Sequence, residues 1–303
     1  MRLFTPLFQQ SRPHRIIWPN PEFKTYWKTR IERIAFEASN AEILSVVSGQ
    51  RDVTWQTVSE EDVFYFQDRL LRDHGLVSRG FKAVAAFSGF AHRHYPPAPG
   101  QRKFFCVVAA RSDMEINAFL AAEAAGDNSE QGRLLGYPRC CSQFFSENWR
   151  EGFIDPIWQA AVNSIRENGG TIWNRGGKTF VDLEDSILGA GLSNAMLRYI
   201  GIRGAFHIPH SFSCRETMEI AEERLGLMAP EAAADVRVLL RLPMEWSVRN
   251  GIALVKTPYF YIETESVPTS EYYRVRLEGR IPGGCPPGAV GITFPFQAGL
   301  RRE

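Results

Sequence analysis

The sequence has little cysteine, no surplus of either charge and no long apolar run, and each shortage excludes something. Five cysteines in 303 residues are too few to staple a disulfide scaffold. With 35 Lys plus Arg against 34 Asp plus Glu, the net charge is only +1. Coating nucleic acid or an anionic membrane needs a basic field that this balance does not supply, so neither is an expected partner. The longest uncharged run, 281–300, is interrupted by Pro282, Pro286, Pro287 and Pro295. It reads as looped chain and not as a spanning helix. Residues 1–15 carry Arg2, Arg12 and Arg15 without an apolar stretch. That is unlike a signal peptide, and the expected compartment is the cytoplasm. In a reducing compartment, clustered cysteines more often hold metal or do chemistry than form bridges. Also missing are GxGxxG after a strand, GxSxG and HExxH. Those absences argue against the usual nicotinamide dehydrogenases, α/β-hydrolases and common zinc proteases.

What is present is enough apolar sequence, 44% of residues, to fill a core. Three regions are expected. The first, 1–112, mixes helices and strands: a helix over 23–39, a strand over 41–48, a helix over 59–74 capped by Ser59 and ended by Gly75, and buried strands over 82–88 and 103–110. The second, 113–230, is helix-rich. Asp113 caps one helix, Pro138 opens another, and Ser213 with Glu216 forms a capping-box signature for a third. The third, 231–303, is mostly strand, with Asn250-Gly251 as a hairpin turn and alternation at Tyr273, Val275 and Leu277. The expected fold is α/β (or α+β), with a mixed N-terminal region, a helical metal-site region and a β-rich C-terminal region.

Two segments concentrate the chemistry. Gly136-Tyr137-Pro138-Arg139-Cys140-Cys141 is followed by Phe144-Phe145, and His207-Ile208-Pro209-His210-Ser211-Phe212-Ser213-Cys214 comes later. Together they hold three of the five cysteines and two of the six histidines. Thiolate and imidazole are the donors that zinc and iron prefer. If Pro138 and Ser213 open helices, Cys140, Cys141 and Cys214 all lie in first turns, where the helix dipole and spare N–H groups favour thiolate. Neighbouring side chains on a helix diverge by about 100°, which is easier to reconcile with two irons of a cluster than with one tetrahedral ion. An iron–sulfur cluster, [4Fe–4S] in type, is therefore expected ahead of zinc, held by Cys140, Cys141, Cys214 and His210. His207 is the candidate catalytic residue, as a hydrogen-bond partner of that centre or a proton donor. The competing reading is a buried cysteine pair packed against Phe144 and Phe145. Cys106 reads as core, and Cys285 as a loop residue or remote fourth ligand.

These two motifs, GYPxCC with aromatics behind it and HxPxSxxC before a helix, resemble a group of uncharacterised bacterial and archaeal proteins that share them. The stretches Pro243-Met244-Glu245-Trp246-Ser247 and Asn250-Gly251-Ile252-Ala253 are similar too. The resemblance covers the last two-thirds of the chain and implies a metal site without an assigned reaction. In that group the second motif more often reads HxPCSxxC, so His210 stands where a cysteine is usual. Epoxyqueuosine reductases also use adjacent cysteines as cluster ligands, but the rest of their pattern is not evident here.

Weaker signals remain. His92 and His94 are one residue apart, and Trp173-Asn174-Arg175-Gly176-Gly177-Lys178 sets glycines between cations without a full P-loop pattern. Glu245 and Trp246 are candidates to line a pocket. Arg198, Arg203 and Arg215 are expected to form a small solvated basic patch. Two functions follow: an iron–sulfur enzyme that reduces or activates a small polar substrate, with an electron-donor protein as a possible partner, or a binding protein with structural zinc.

Overall fold

A short strand, β1 (His14–Ile17), leads into the longest helix, α1 (Pro21–Val47). The computed structural model describes residues 14–85, 96–149, 157, 160, 163–164, 167, 186–187, 191–242, 244–249 and 252–265. Asn20 starts α1, its side chain accepting the Glu22 N–H at 2.7 Å, with Pro21 in the first turn, where no helical N–H is needed. Trp27, Ile31, Ile34, Ala38 and Ala41 bury one face, and Ile43 and Val46 continue that burial to the end. The strand expected over 41–48 is therefore the last two turns of α1. A short apolar run fits either period, and here the helix already underway decides.

The first sheet is antiparallel, in the order β2 (Val53–Ser59), β4 (Lys103–Ala110), β3 (Val77–Ala85). Central β4 is apolar on both faces because both are covered. Val107 and Ala109 pack with Ile43 and Val46 of α1 and with Phe66 and Leu70 of α2 (Val63–His74). The alternate residues, Val108 and Ala110, pack with Ile116 and Phe119 of α3 (Asp113–Ala125). Cys106 lies in this wall, and burial pushes its thiol up to about 12, as expected of a core cysteine. The cap of α3 is Ser112, not Asp113: Glu115 closes the box by accepting the Ser112 N–H at 2.8 Å. Ser59 caps a 3₁₀ turn, Glu60–Asp62, that feeds α2.

Two helices carry the chain on to the first motif: α4 (Asn128–Leu134), capped by Asp127, and α5 (Arg139–Trp149). After β5 (Ser186–Ile187) come two 3₁₀ turns, Gly191–Ser193 and Met196–Ile200, then α6 (Arg215–Leu225) and α7 (Pro230–Leu240). The chain ends its described part in β6 (Met244–Arg249), β7 (Ile252–Lys256) and β8 (Tyr261–Glu265). These complete a second antiparallel sheet, ordered β1-β8-β7-β6-β5. Arg249 pairs with Ile252, so β6 and β7 form the hairpin expected there, although Asn250 and Gly251 lie outside the described residues. The largest core joins α1 (Trp27, Ile31, Ile34) to Met196, Leu197, Val236, Leu239, Val255 and Ile262. The architecture is thus mixed α/β, as expected, with both sheets antiparallel. No described helix is long and apolar enough to cross a membrane.

Candidate metal centre

The first motif turns sharply before its cysteines. Gly136 has φ +67°, and a Cβ there would stand 3.0 Å from Arg51 Cβ and 3.3 Å from the Gln50 carbonyl. Only glycine fits both the left-handed backbone and that approach. Pro138 sits one residue ahead of α5, its carbonyl accepting the Ser142 N–H at 2.9 Å. Cys140 and Cys141 then fall in the first turn of α5. The second motif ends at α6, whose N-cap is Cys214 itself and not Ser213. Both thiol sites consequently face the positive end of a helix.

The two motifs meet. The sulfurs of Cys140, Cys141 and Cys214 form a near-equilateral triangle, 3.9, 3.9 and 3.8 Å on a side. His210 Nδ1 stands 3.5 Å from the Cys141 sulfur, and donor atoms of all four residues lie within 4.8 Å of one another. Such a Cys3His group can hold a metal ion. The adjacent cysteines do not diverge beyond reach of a single ion: a thiol is short, and rotation about χ1 suffices to bring neighbours together. Cys141 and Cys214 are buried, while Cys140 and His210 are half-buried. Without metal, three thiols this close share protons. A hydrogen bond from Cys141, reinforced by Thr217, holds the Cys214 thiol down at about 5, and the same pairing with Cys214, with burial, pushes Cys141 up. Burial and the Cys214 charge push Cys140 up.

The loop between the motif's histidine and cysteine is held from several sides. Asn163 Nδ2 donates to the His210 carbonyl at 2.8 Å, and Phe212 N donates to Ser164 Oγ at 2.6 Å. Ser193 Oγ donates to the Phe212 carbonyl, and Ser211 and Ser213 both donate to Glu167. Arg198 donates to the Phe206 and His207 carbonyls at 2.8 and 3.3 Å.

His207 is not among the gathered donors. It is buried one layer behind them, with Nε2 at 2.8 Å from Thr217 Oγ1, which in turn lies 3.4 Å from the Cys141 sulfur. Burial, with repulsion from Arg198 and Arg51, holds its imidazole down at about 3, so the ring is neutral. Thr217 escaped sequence reasoning, although its place three residues after Cys214, in the first turn of α6, was a usable signal. Glu42, Arg51 and Arg224 escaped it too, and no local pattern marks them.

The solvated patch expected of Arg198, Arg203 and Arg215 does not form. Arg203 is buried in an ion pair with Glu42, Arg198 serves loop carbonyls, and only Arg215 is exposed, pairing with Glu219 at 2.9 Å. A guanidinium that finds carbonyls and a carboxylate inside the protein does not need water. His92, His94, Trp173–Lys178, Tyr273–Leu277 and Cys285 lie outside the described residues, and Glu245 and Trp246 fall in β6. No family model, curated protein or solved structure matches the chain.

Proposed function

We propose that Cys140, Cys141, Cys214 and His210 hold one zinc ion, and that the ion pins the two motifs together as the structural base of a binding protein. The spacing of the donors carries this reading. Tetrahedral zinc with Zn–S bonds of about 2.3 Å sets its sulfurs about 3.8 Å apart, against the 3.8–3.9 Å triangle of this chain. Four protein donors also fill a tetrahedron, as closed structural sites do, and leave no position open for substrate. In a [4Fe–4S] cluster each thiolate takes a different iron, so the sulfurs stand apart by the breadth of the cluster. The spacing therefore favours zinc over the cluster expected from the sequence.

The iron–sulfur enzyme remains the second reading. Its support is the gathering of three thiols at two helix N-termini, with Cys140 and His210 only half-buried. In that case His207 is a hydrogen-bond partner behind the cluster, acting through Thr217, and the partner is an electron-donor protein. The motifs also support a place in the uncharacterised group that they resemble. Anaerobic purification followed by elemental analysis and an absorbance spectrum separates the two readings. One zinc per chain in a colourless protein is the expected result; a brown protein with iron and sulfide overturns it.

A further inference from the structure

Behind the candidate metal centre several arginines are buried together, and among the described residues a single buried carboxylate accompanies them. Arg51, Arg203 and Arg224 are buried, and Arg198 is half-buried among them. The only buried carboxylate among the described residues is Glu42, which Arg203 already engages. The guanidinium carbons of Arg51 and Arg224 stand 4.6 and 4.7 Å from the centre of the same ring, Phe206. Arg224 is well anchored, donating to the Gly204 carbonyl at 2.7 Å and the Ala38 carbonyl at 3.0 Å. Arg51 is not: its Nε donates to the Val53 carbonyl at 2.6 Å, but Nη1 is buried without a partner among the described residues. The same holds for Arg224 Nε. Burial pushes the Arg51 and Arg224 guanidiniums down from the ordinary arginine range; Glu42 opposes this at both, and repulsion from Arg203 adds to it.

Unpartnered buried N–H groups are rare in native proteins, and an absent ion or ligand is one of their ordinary explanations. Charge that is buried and unpaired is rarer still. The two orphaned groups share one neighbourhood, since both guanidiniums lie over the Phe206 ring. Tyr137 closes it on the first-motif side, its ring centre 5.1 Å from that of His207.

We propose that this arginine cluster is a binding site for an oxyanion, the phosphate or carboxylate group of a small ligand, with Arg51 Nη1 as its principal donor. A planar guanidinium fork suits such a group, and a charge-assisted hydrogen bond in a water-poor site is strong. The site lies one hydrogen-bonded relay, His207 to Thr217, from the Cys141 sulfur. The ligand therefore docks against the face that the metal holds in place. The inference does not depend on which metal is bound, because anion binding is read separately from metal content.

The test titrates the metal-loaded protein with inorganic phosphate, and in a parallel arm with acetate, at constant ionic strength set by chloride. Heat of binding and melting temperature are followed. Saturable binding with a rise in melting temperature is expected in at least one arm, and the arm that responds names the chemistry. Arg51→Met is expected to weaken it at least tenfold, while Arg72→Met, on the exposed face of α2, leaves it unchanged. If Arg51→Met fails to fold, Arg51→Lys keeps the charge without the fork and is still expected to bind several-fold more weakly. No saturable response in either arm overturns the proposal, as does undiminished binding by the folded Arg51 variant.

Discussion

At Thr217 one hydroxyl serves two partners, and the charge on the sulfur sets the order of donation. With Cys141 as a metal-bound thiolate, the Thr217 O–H donates to sulfur, and its oxygen accepts the His207 Nε2–H. Thr217→Val keeps the shape and removes both bonds. Groups that orient metal ligands typically cost 10–100-fold in affinity when lost, so competition against a chromophoric chelator should show metal held about 10–100-fold more weakly. His207 gives a pH signature. Its folded value of about 3 lies below the ordinary 6.5, so only the unfolded chain takes up a proton in that interval. The stability it contributes is complete above 6.5 and drains away as pH falls from 6.5 towards 3. Melting temperatures across this window should fall with acid, and His207→Gln should flatten that part of the profile. The cysteines and His210 were legible in the sequence because thiol and imidazole announce their chemistry. Arg51 was not, because nothing beside an arginine in a sequence says that it will be buried.

Elements position the site through close approach. Gly204 lies where the loop crosses α6, and a Cβ there would run into the Leu192 carbonyl and come within 3.1 Å of Ala221. Backbone on one side and a packed helix on the other leave no room to yield. Gly204→Ala should cost more than about 3 kcal/mol, a fall in melting temperature on the order of 10 °C by thermal unfolding. Periodicity made α2, α3, β4 and the β6–β7 hairpin legible. It failed at 41–48, where a short apolar run read as a strand, because only the tertiary burial of α1 separates the two. It also missed two N-caps by one residue, Ser112 in place of Asp113 and Cys214 in place of Ser213, while Gly75 ends α2 as expected. The second shift matters, since a thiol at the cap itself lies closer to the free N–H groups of the helix.

For the whole molecule, α1 is the element shared by both halves of the core. Ile43 and Val46 belong to the small sheet, and Trp27, Ile31 and Ile34 to the larger apolar cluster. Glu42, from the same helix, reaches Arg203 beside the second motif. A metal held by this group would add a second fastening, between α5 and α6, 73 residues apart at Cys141 and Cys214. A site that closes so long a loop stabilises by restricting the unfolded chain as well as by its bonds. Chelation should therefore lower the melting temperature by more than about 10 °C and expose the α5–α6 contact to amide exchange, while the β2-β4-β3 sheet stays protected. An unchanged melting temperature would mean the ion is not structural. The most direct measurement is X-ray absorption at the metal edge of the purified protein. One zinc with three sulfurs at about 2.3 Å and one nitrogen at about 2.0 Å is the expected shell, and iron with a second iron in its neighbourhood would contradict it.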